Sequence, residues 1–143
     1  MQAFIIESAN EPGELARQAS AIAKRDINVY PFSLGLGTRG GSAFLASDEG
    51  GVKYALDGAG IMYHEVPVLT ISTEDRPGTA ALTAQKLADA GVNIELFAPV
   101  QATNGKATFL IGVDKIADAK RVLSDQLTEW KVPEPMHAGM SSR

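Results

Sequence analysis

The feature that most constrains the fold of this chain is an internal repeat. Pro12-Gly13 recurs as Pro77-Gly78; Ala16, Ala19 and Ala23 recur as Ala81, Ala84 and Ala88; and Asn28 recurs as Asn93, each partner 65 positions further on. The same spacing pairs Phe32 with Phe97, Gly40 with Gly105 and Phe44-Leu45 with Phe109-Leu110, with no gap. Self-similarity at a fixed period means that one supersecondary unit is built more than once. The chain reads as two copies of that unit, residues 1–66 and 67–132, followed by a polar segment 133–143, "PEPMHAGMSSR", expected to be disordered.

Within each copy the periodicities alternate in a fixed order. Short β-branched runs at Ala3–Glu7 and Val68–Ser72 suit buried strands. A helix follows each: Leu15, Ala19, Ile22 and Ala23 share one face at helical spacing, as do Ala80, Ala84, Leu87 and Ala88, which leaves Arg17, Lys24, Lys86 and Asp89 to solvent. Asp26 and Gly91 stand where those helices should stop. Strands come next at Ile27–Leu34 and Val92–Val100, then a turn around Gly40 or at Asn104-Gly105, then return strands at Ser42–Ser47 and Lys106–Val113. Asn-Gly between two strand patterns is a strong hairpin signal. Asp48 and Asp114 read as caps of second helices, with Val52, Ala55, Leu56 and Ala59 as one stripe and Ile116, Ala119 and Leu123 as the other. A last strand closes each copy, "IMYHEV" from Ile61 and "TEWKV" from Thr128. The expected fold class is α+β, two ferredoxin-like βαββαβ units whose antiparallel sheets carry their helices on one face. Such sheets have exposed edges, so the copies are expected to pair within the chain or across a homodimer.

Composition narrows the function classes. Thirteen Lys and Arg against 17 Asp and Glu give a net charge of −4, which argues against a nucleic-acid or anionic-membrane partner. There is no cysteine, and so no disulfide, thiolate metal site or cysteine nucleophile. The opening "MQAFIIESANEPG" lacks a signal-peptide pattern and no apolar run reaches membrane-spanning length, so a cytoplasmic location is expected.

The element order, the unit length and the pattern of apolar strand, Asp or Asn, any residue, Pro-Gly, helix, then (Gly/Asp)-(Val/Ile)-Asn-(Ile/Val) together resemble the ACT domain. The residues that carry the likeness are "NEPGELARQASAIAKRDINV" and "EDRPGTAALTAQKLADAGVNI". ACT domains are amino-acid-binding regulatory modules. The resemblance therefore implies a stand-alone tandem ACT protein, with a free amino acid as ligand and a regulated enzyme as partner. It also implies a ligand lying between the Pro-Gly loop and the second strand of a neighbouring unit, which brings in Asn28 and Asn93.

The loop chemistry agrees with that implication. A Pro-Gly loop leads into a helix N-terminus, where several N–H groups lack partners and the macrodipole favours a carboxylate. Gly13 and Gly78 let a ligand approach the backbone, while Pro12 and Pro77 fix the loop's shape. Asn10 and Asp75 stand ready for an ammonium group. The candidate ligand-binding residues are Asn10, Glu11, Pro12, Gly13, Glu14 and Leu15 in the first loop, and Asp75, Arg76, Pro77, Gly78, Thr79 and Ala80 in the second. Each also has a plain structural reading, with Asn10 and Asp75 as helix caps or turn residues and Asn28 and Asn93 as solvent-facing strand positions. Glu11 and Glu14 surround the first loop with negative charge, whereas the second offers Arg76 and Thr79, so the second is the better carboxylate site.

Other motifs lead nowhere. "GLGTRG" from Gly35 satisfies G-x-G-x-x-G, but a strand pattern follows it where dinucleotide binding needs a helix. His64 and His137 have no metal-ligand spacing. No nucleophile context or paired carboxylates emerge, so no catalytic residue, metal or cofactor is expected. The expected function is a non-catalytic, allosteric small-molecule-binding regulator; the alternative is a ligand-free protein-interaction or oligomerisation module.

Overall fold

A computed structural model describes residues 1–134; His137 and all but the first two residues of the expected disordered tail lie outside the described residues. The elements run β1 (Gln2–Ala9), α1 (Glu14–Ala23), β2 (Val29–Leu36), β3 (Arg39–Ala46), α2 (Glu49–Gly58), β4 (His64–Glu74), α3 (Thr79–Asp89), β5 (Ile94–Thr103), β6 (Lys106–Val113) and α4 (Ile116–Val122). The chain forms two compact units. The N-terminal unit comprises Phe4–Glu65 with the described residues from Lys131 to Glu134, and the C-terminal unit comprises Val66–Trp130 with Met1–Ala3.

In the N-terminal unit β3 is the central strand. It pairs antiparallel with β1, Phe4 opposite Phe44 and Ile6 opposite Ser42, and with β2, Ser33 opposite Ser42. Phe4, Ile6 and Phe44 meet Ile22 of α1 and Val52 and Leu56 of α2 in one core. The Tyr30 hydroxyl reaches the Pro133 carbonyl at 3.4 Å and so holds the last described residues on this unit. In the C-terminal unit β6 takes the central place, between β4 and β5, and Leu69, Ile71, Ile111 and Val113 pack on Leu87, Ala119 and Leu123. Leu45 and Leu110, which alternate with these core residues, are also fully buried, and this explains why β3 and β6 read as continuous apolar runs.

The closing strands depart from the sequence reading. The strand expected from Ile61 begins at His64 and runs without a break into β4, so one extended segment carries the chain from one unit to the next. The strand expected from Thr128 is replaced by a short bridge just upstream. Leu127 pairs with Ile71, the Ser72 amide donates to the Gln126 carbonyl at 2.9 Å, and the Thr128 amide donates to the Thr70 carbonyl at 3.0 Å.

The helices are where they were expected, and Ile22 and Leu87 of the expected stripes are buried, but the rest of each inward face is shifted. Gln18 and Ile22 are the buried residues of α1, and Thr83 and Leu87 those of α3. Each pair is spaced i, i+4 and defines one inward stripe. The alanines flank this stripe, and Ala23, Ala80 and Ala88 are exposed. The expected stops hold: Asp26 and Gly91 adopt left-handed backbone with φ 59° and 72°. The Asp48 carboxylate accepts from the Gly51 amide at 2.9 Å and caps α2. Asp114 caps nothing; Lys115 occupies the cap position of α4, and the Asp114 carboxylate accepts from the Asn93 amide at 2.9 Å.

The two hairpins differ in a way that moves the repeat. Asn104 and Gly105 both have positive φ, 52° and 74°, as a type I′ turn requires. The first hairpin turns at Gly37-Thr38, not around Gly40, with Gly37 at φ 62°. Strand β5 has 10 residues against the 8 of β6, and the excess is taken up by two bulges that leave Glu95 and Val100 unpaired. Beyond them the spacing between the copies becomes 67: Phe4 pairs with Phe44, but Leu69 pairs with Ile111. The ungapped match of Phe44 with Phe109 is therefore corrected. Ile111 stands in the place of Phe44, and Phe109 in the place of Ser42.

Candidate ligand clefts at the Pro-Gly loops

Both Pro-Gly loops end on a glycine in left-handed backbone, Gly13 at φ 92° and Gly78 at φ 91°, in the cap position and with no side-chain hydrogen bond to the helix. Neither Asn10 nor Asp75 caps. In the first turns, the amides of Leu15 and Ala16, and those of Ala80 and Ala81, have no backbone acceptor among the described residues. These are the orphan donors that a helix start leaves behind.

Asn10 fastens the first loop to the adjoining hairpin. Its amide donates to the Thr38 carbonyl at 3.0 Å and its Nδ2 to the Gly37 carbonyl at 2.9 Å. The side chain lies so close over Gly35 that a Cβ there would come within 2.6 Å of it. A Cβ at Gly40 would come within 3.0 Å of the Leu34 carbonyl, and Gly37 needs its positive φ. The three glycines of G-x-G-x-x-G thus serve a hairpin packed against a loop. Glu14 is paired with Arg17 at 3.0 Å, which offsets part of the negative charge around this loop. The loop and hairpin enclose a cleft of about 90 Å³ bordered by Ser8, Asn10, Glu11, Glu14, Leu15, Ser33 and Ser42.

The second loop is tied to its hairpin through the backbone: the Asp75 amide donates to the Gly105 carbonyl at 2.9 Å. Its carboxylate has no hydrogen-bond or ion-pair partner among the described residues. Arg76 Nε lies 3.1 Å from Glu74 Oε2. Thr79 Oγ1 lies 2.6 Å from the Arg76 carbonyl and 3.0 Å from that of Glu74, so this hydroxyl locks the turn. Residues of the loop and of the first turn of α3, from Glu74 to Ala81, border a cleft of about 160 Å³ whose other walls are Ala107 and Phe109.

Asn28 and Asn93 lie elsewhere in their own units. Each directly precedes its strand, while the loop and hairpin lie at the far end; along β2 that is roughly 23 Å at about 3.3 Å per residue. Asn28 Nδ2 is 3.5 Å from the Tyr30 hydroxyl, and Asn93 Nδ2 is 3.3 Å from Glu95 Oε1. Sequence reasoning missed Ser8, Ser33 and Ser42 in the first cleft and Ala107 and Phe109 in the second. The alternation of Ser8 with Ile6 gave a signal for the first group; the bulges hid the second.

No protein-family model matches the chain, and no curated protein is similar to it. Solved structures do match. Protein BT0572 from Bacteroides thetaiotaomicron aligns over 89% of this chain and 90% of its own, with TM-score 0.69 and 24% identity. The ligand-free regulatory subunit of aspartate kinase from Thermus thermophilus aligns over 87% and 90%, with TM-score 0.57 and 22% identity. The corresponding subunit from Thermus flavus gives TM-score 0.59 and 22% identity over the same shares. The chain shares the α+β fold of these structures, two ferredoxin-like units of the kind that the resemblance implied. Each unit presents one Pro-Gly loop and one cleft, and the two clefts differ in charge and lining. Among the described residues no helix is long and apolar enough to cross a membrane, and no three His, Cys, Asp or Glu side chains gather as a metal site.

Proposed function

We propose that this protein is a non-catalytic regulator that binds a free amino acid at the Pro-Gly loop of its C-terminal unit and passes occupancy to an enzyme partner in the cytoplasm. The observation that carries this reading is the pairing of opposite poles in one loop. The Asp75 carboxylate is unpartnered and suits an ammonium group. Beside it, the Arg76 guanidinium and the free Ala80 and Ala81 amides suit a carboxylate. That similar folds serve as regulatory subunits of aspartate kinase supports a regulatory role. A homodimer fits the same reading, because β2 is an edge strand that carries no charged residue.

A second reading, the ligand-free interaction module, is favoured by Leu34 and Leu36, which stand 73% and 81% exposed on that edge strand. Paired substitutions separate the two. Asp75→Ala is expected to leave the unfolding free energy within about 0.5 kcal/mol, since the side chain holds nothing, and to weaken amino-acid binding about tenfold or more. Asn10→Ala is expected to do the reverse, lowering stability by about 0.5–1.5 kcal/mol through its lost bond to the hairpin while leaving binding at the second loop intact. Calorimetric titration together with urea unfolding of both variants reads this out. Equal binding losses would remove the assignment to the second loop.

A further inference from the structure

Three of the chain's asparagines have an engaged side-chain amide and a residue with a long or branched side chain next in line. Asn10 Nδ2 donates to the Gly37 carbonyl at 2.9 Å, and Glu11 follows it. Asn28 Nδ2 lies 3.5 Å from the Tyr30 hydroxyl and Asn93 Nδ2 lies 3.3 Å from Glu95 Oε1, and the β-branched Val29 and Ile94 follow them. Asn104 has neither protection. Its side chain has no hydrogen-bond partner among the described residues, and the next residue is Gly105, exposed like Asn104 itself. The Gly105 amide donates to no backbone acceptor among the described residues, and a Cβ built at Gly105 would meet nothing within 4 Å. The Gly105 carbonyl, by contrast, is occupied: it accepts from the Asp75 amide at 2.9 Å and so ties the second Pro-Gly loop to the hairpin.

This arrangement suits ring closure within the chain. Once the Gly105 nitrogen has lost its proton to solvent, it attacks Asn104 Cγ. The N–Cγ bond forms, the Cγ–Nδ2 bond breaks, and Nδ2 leaves as ammonia with a proton from water. Water then opens the cyclic imide at either carbonyl. One opening gives aspartate in the ordinary linkage; the other gives isoaspartate, in which the chain runs through Cβ and Cγ. Ring closure eclipses the Gly105 nitrogen with the Asn104 Cβ, which the left-handed backbone of Asn104, φ 52°, does not allow, so the turn must open first. An exposed hairpin tip outside the paired strands is where local opening costs least. We propose that Asn104-Gly105 is a self-modifying site, which converts to aspartate and isoaspartate and in the isoaspartyl form releases the second Pro-Gly loop from its hairpin. The extra backbone carbon causes the release, because the type I′ turn sets Thr103 opposite Lys106 and a longer link does not fit that register.

This inference stands independently of the amino-acid reading, because the release of the loop is read in the protein alone. Its test compares full-length protein, freshly purified and after ageing at mildly alkaline pH, by peptide mass mapping and by hydrogen exchange of the Asp75 amide. Asn104 is expected to lose its side-chain amide while Asn10, Asn28 and Asn93 keep theirs, and to lose it faster as pH rises, since the deprotonated nitrogen is the nucleophile. The isoaspartyl fraction should lose its exchange protection at Asp75. Asn104→Gln can close only a larger, slower-forming ring, and it should pass through the same treatment unchanged. Asn104→Asp carries the new charge without the longer backbone, so its Asp75 amide should be protected when fresh. If the glutamine disturbs the turn, the comparison of fresh with aged wild-type protein stands by itself. Conversion of Asn104 no faster than that of the other asparagines, unchanged protection of Asp75 in the isoaspartyl fraction, or lost protection in fresh Asn104→Asp would overturn the proposal.

Discussion

Phe44→Ala is expected to lower the unfolding free energy by about 3–5 kcal/mol, a large part of the roughly 5–15 kcal/mol that holds a small domain together. Phe44 is fully buried in the centre of β3 and packs in the cluster formed with Phe4, Ile22 and Val52, so truncation leaves a cavity that neighbouring strands cannot close. The companion substitutions make this a test of the fold as well as of packing. If the copies are matched at 67 positions after the bulges, Ile111→Ala is the equivalent change and should cost about 2–5 kcal/mol. Phe109→Ala, at the cleft wall and only partly buried, should cost less than either. A 65-position match would instead make Phe109 the costly residue. Urea unfolding of the three variants distinguishes the two, and a small loss at Ile111 with a large one at Phe109 would contradict the observed pairing.

Gly78→Val should have the second largest effect, by a different mechanism. A Cβ at Gly78 meets nothing within 4 Å, so the substitution collides with no neighbour. The cost lies in the backbone: φ of 91° is a region that a β-branched residue avoids, and forcing it there costs on the order of 1–3 kcal/mol. The loop is expected to rearrange in response, displacing the Ala80 and Ala81 amides and removing amino-acid binding. Gly78→Asn is the control, since asparagine tolerates left-handed backbone, and it should keep most of the stability. Gly13→Val should match the stability loss of Gly78→Val while sparing binding at the second loop. If the Val and Asn variants at Gly78 behaved alike, backbone strain would not be what that glycine serves.

The repeat made the fold class legible, because helix starts, helix stops and strand order appear twice and support one another. Pro12-Gly13 and Pro77-Gly78, Asp26 and Gly91, and the Asn104-Gly105 turn all carry backbone requirements that the residue type reveals directly. The inward helix faces were harder to read. Alanines at helical spacing look like a core stripe, yet Gln18 and Thr83 face inward beside the expected Ile22 and Leu87, and burial of a polar side chain is decided by tertiary packing that no local pattern records. The bulges at Glu95 and Val100 were invisible for a related reason, since an extra residue in a strand shows only against its partner strand. Two unpaired residues were enough to exchange Phe109 with Ile111 and thereby to hide the difference between the two clefts. Within the loops, the sequence left the binding and the plain structural readings side by side, and the contacts now differ from residue to residue. Asn10 holds a hairpin, Thr79 locks a turn, and Asp75 alone among the three remains unengaged.

The most direct test of the central claim is thermal unfolding of the purified protein against each of the twenty standard amino acids at millimolar concentration. A ligand that binds only the folded state, at about 100 times its dissociation constant, adds about 2.7 kcal/mol, which for a chain of this size moves the midpoint by several degrees. A selective rise with one chemical class of amino acid, abolished by Asp75→Ala and retained by Asn10→Ala, is the predicted result. Unchanged midpoints with all twenty would contradict the account and leave the Pro-Gly loops as turns in an interaction module.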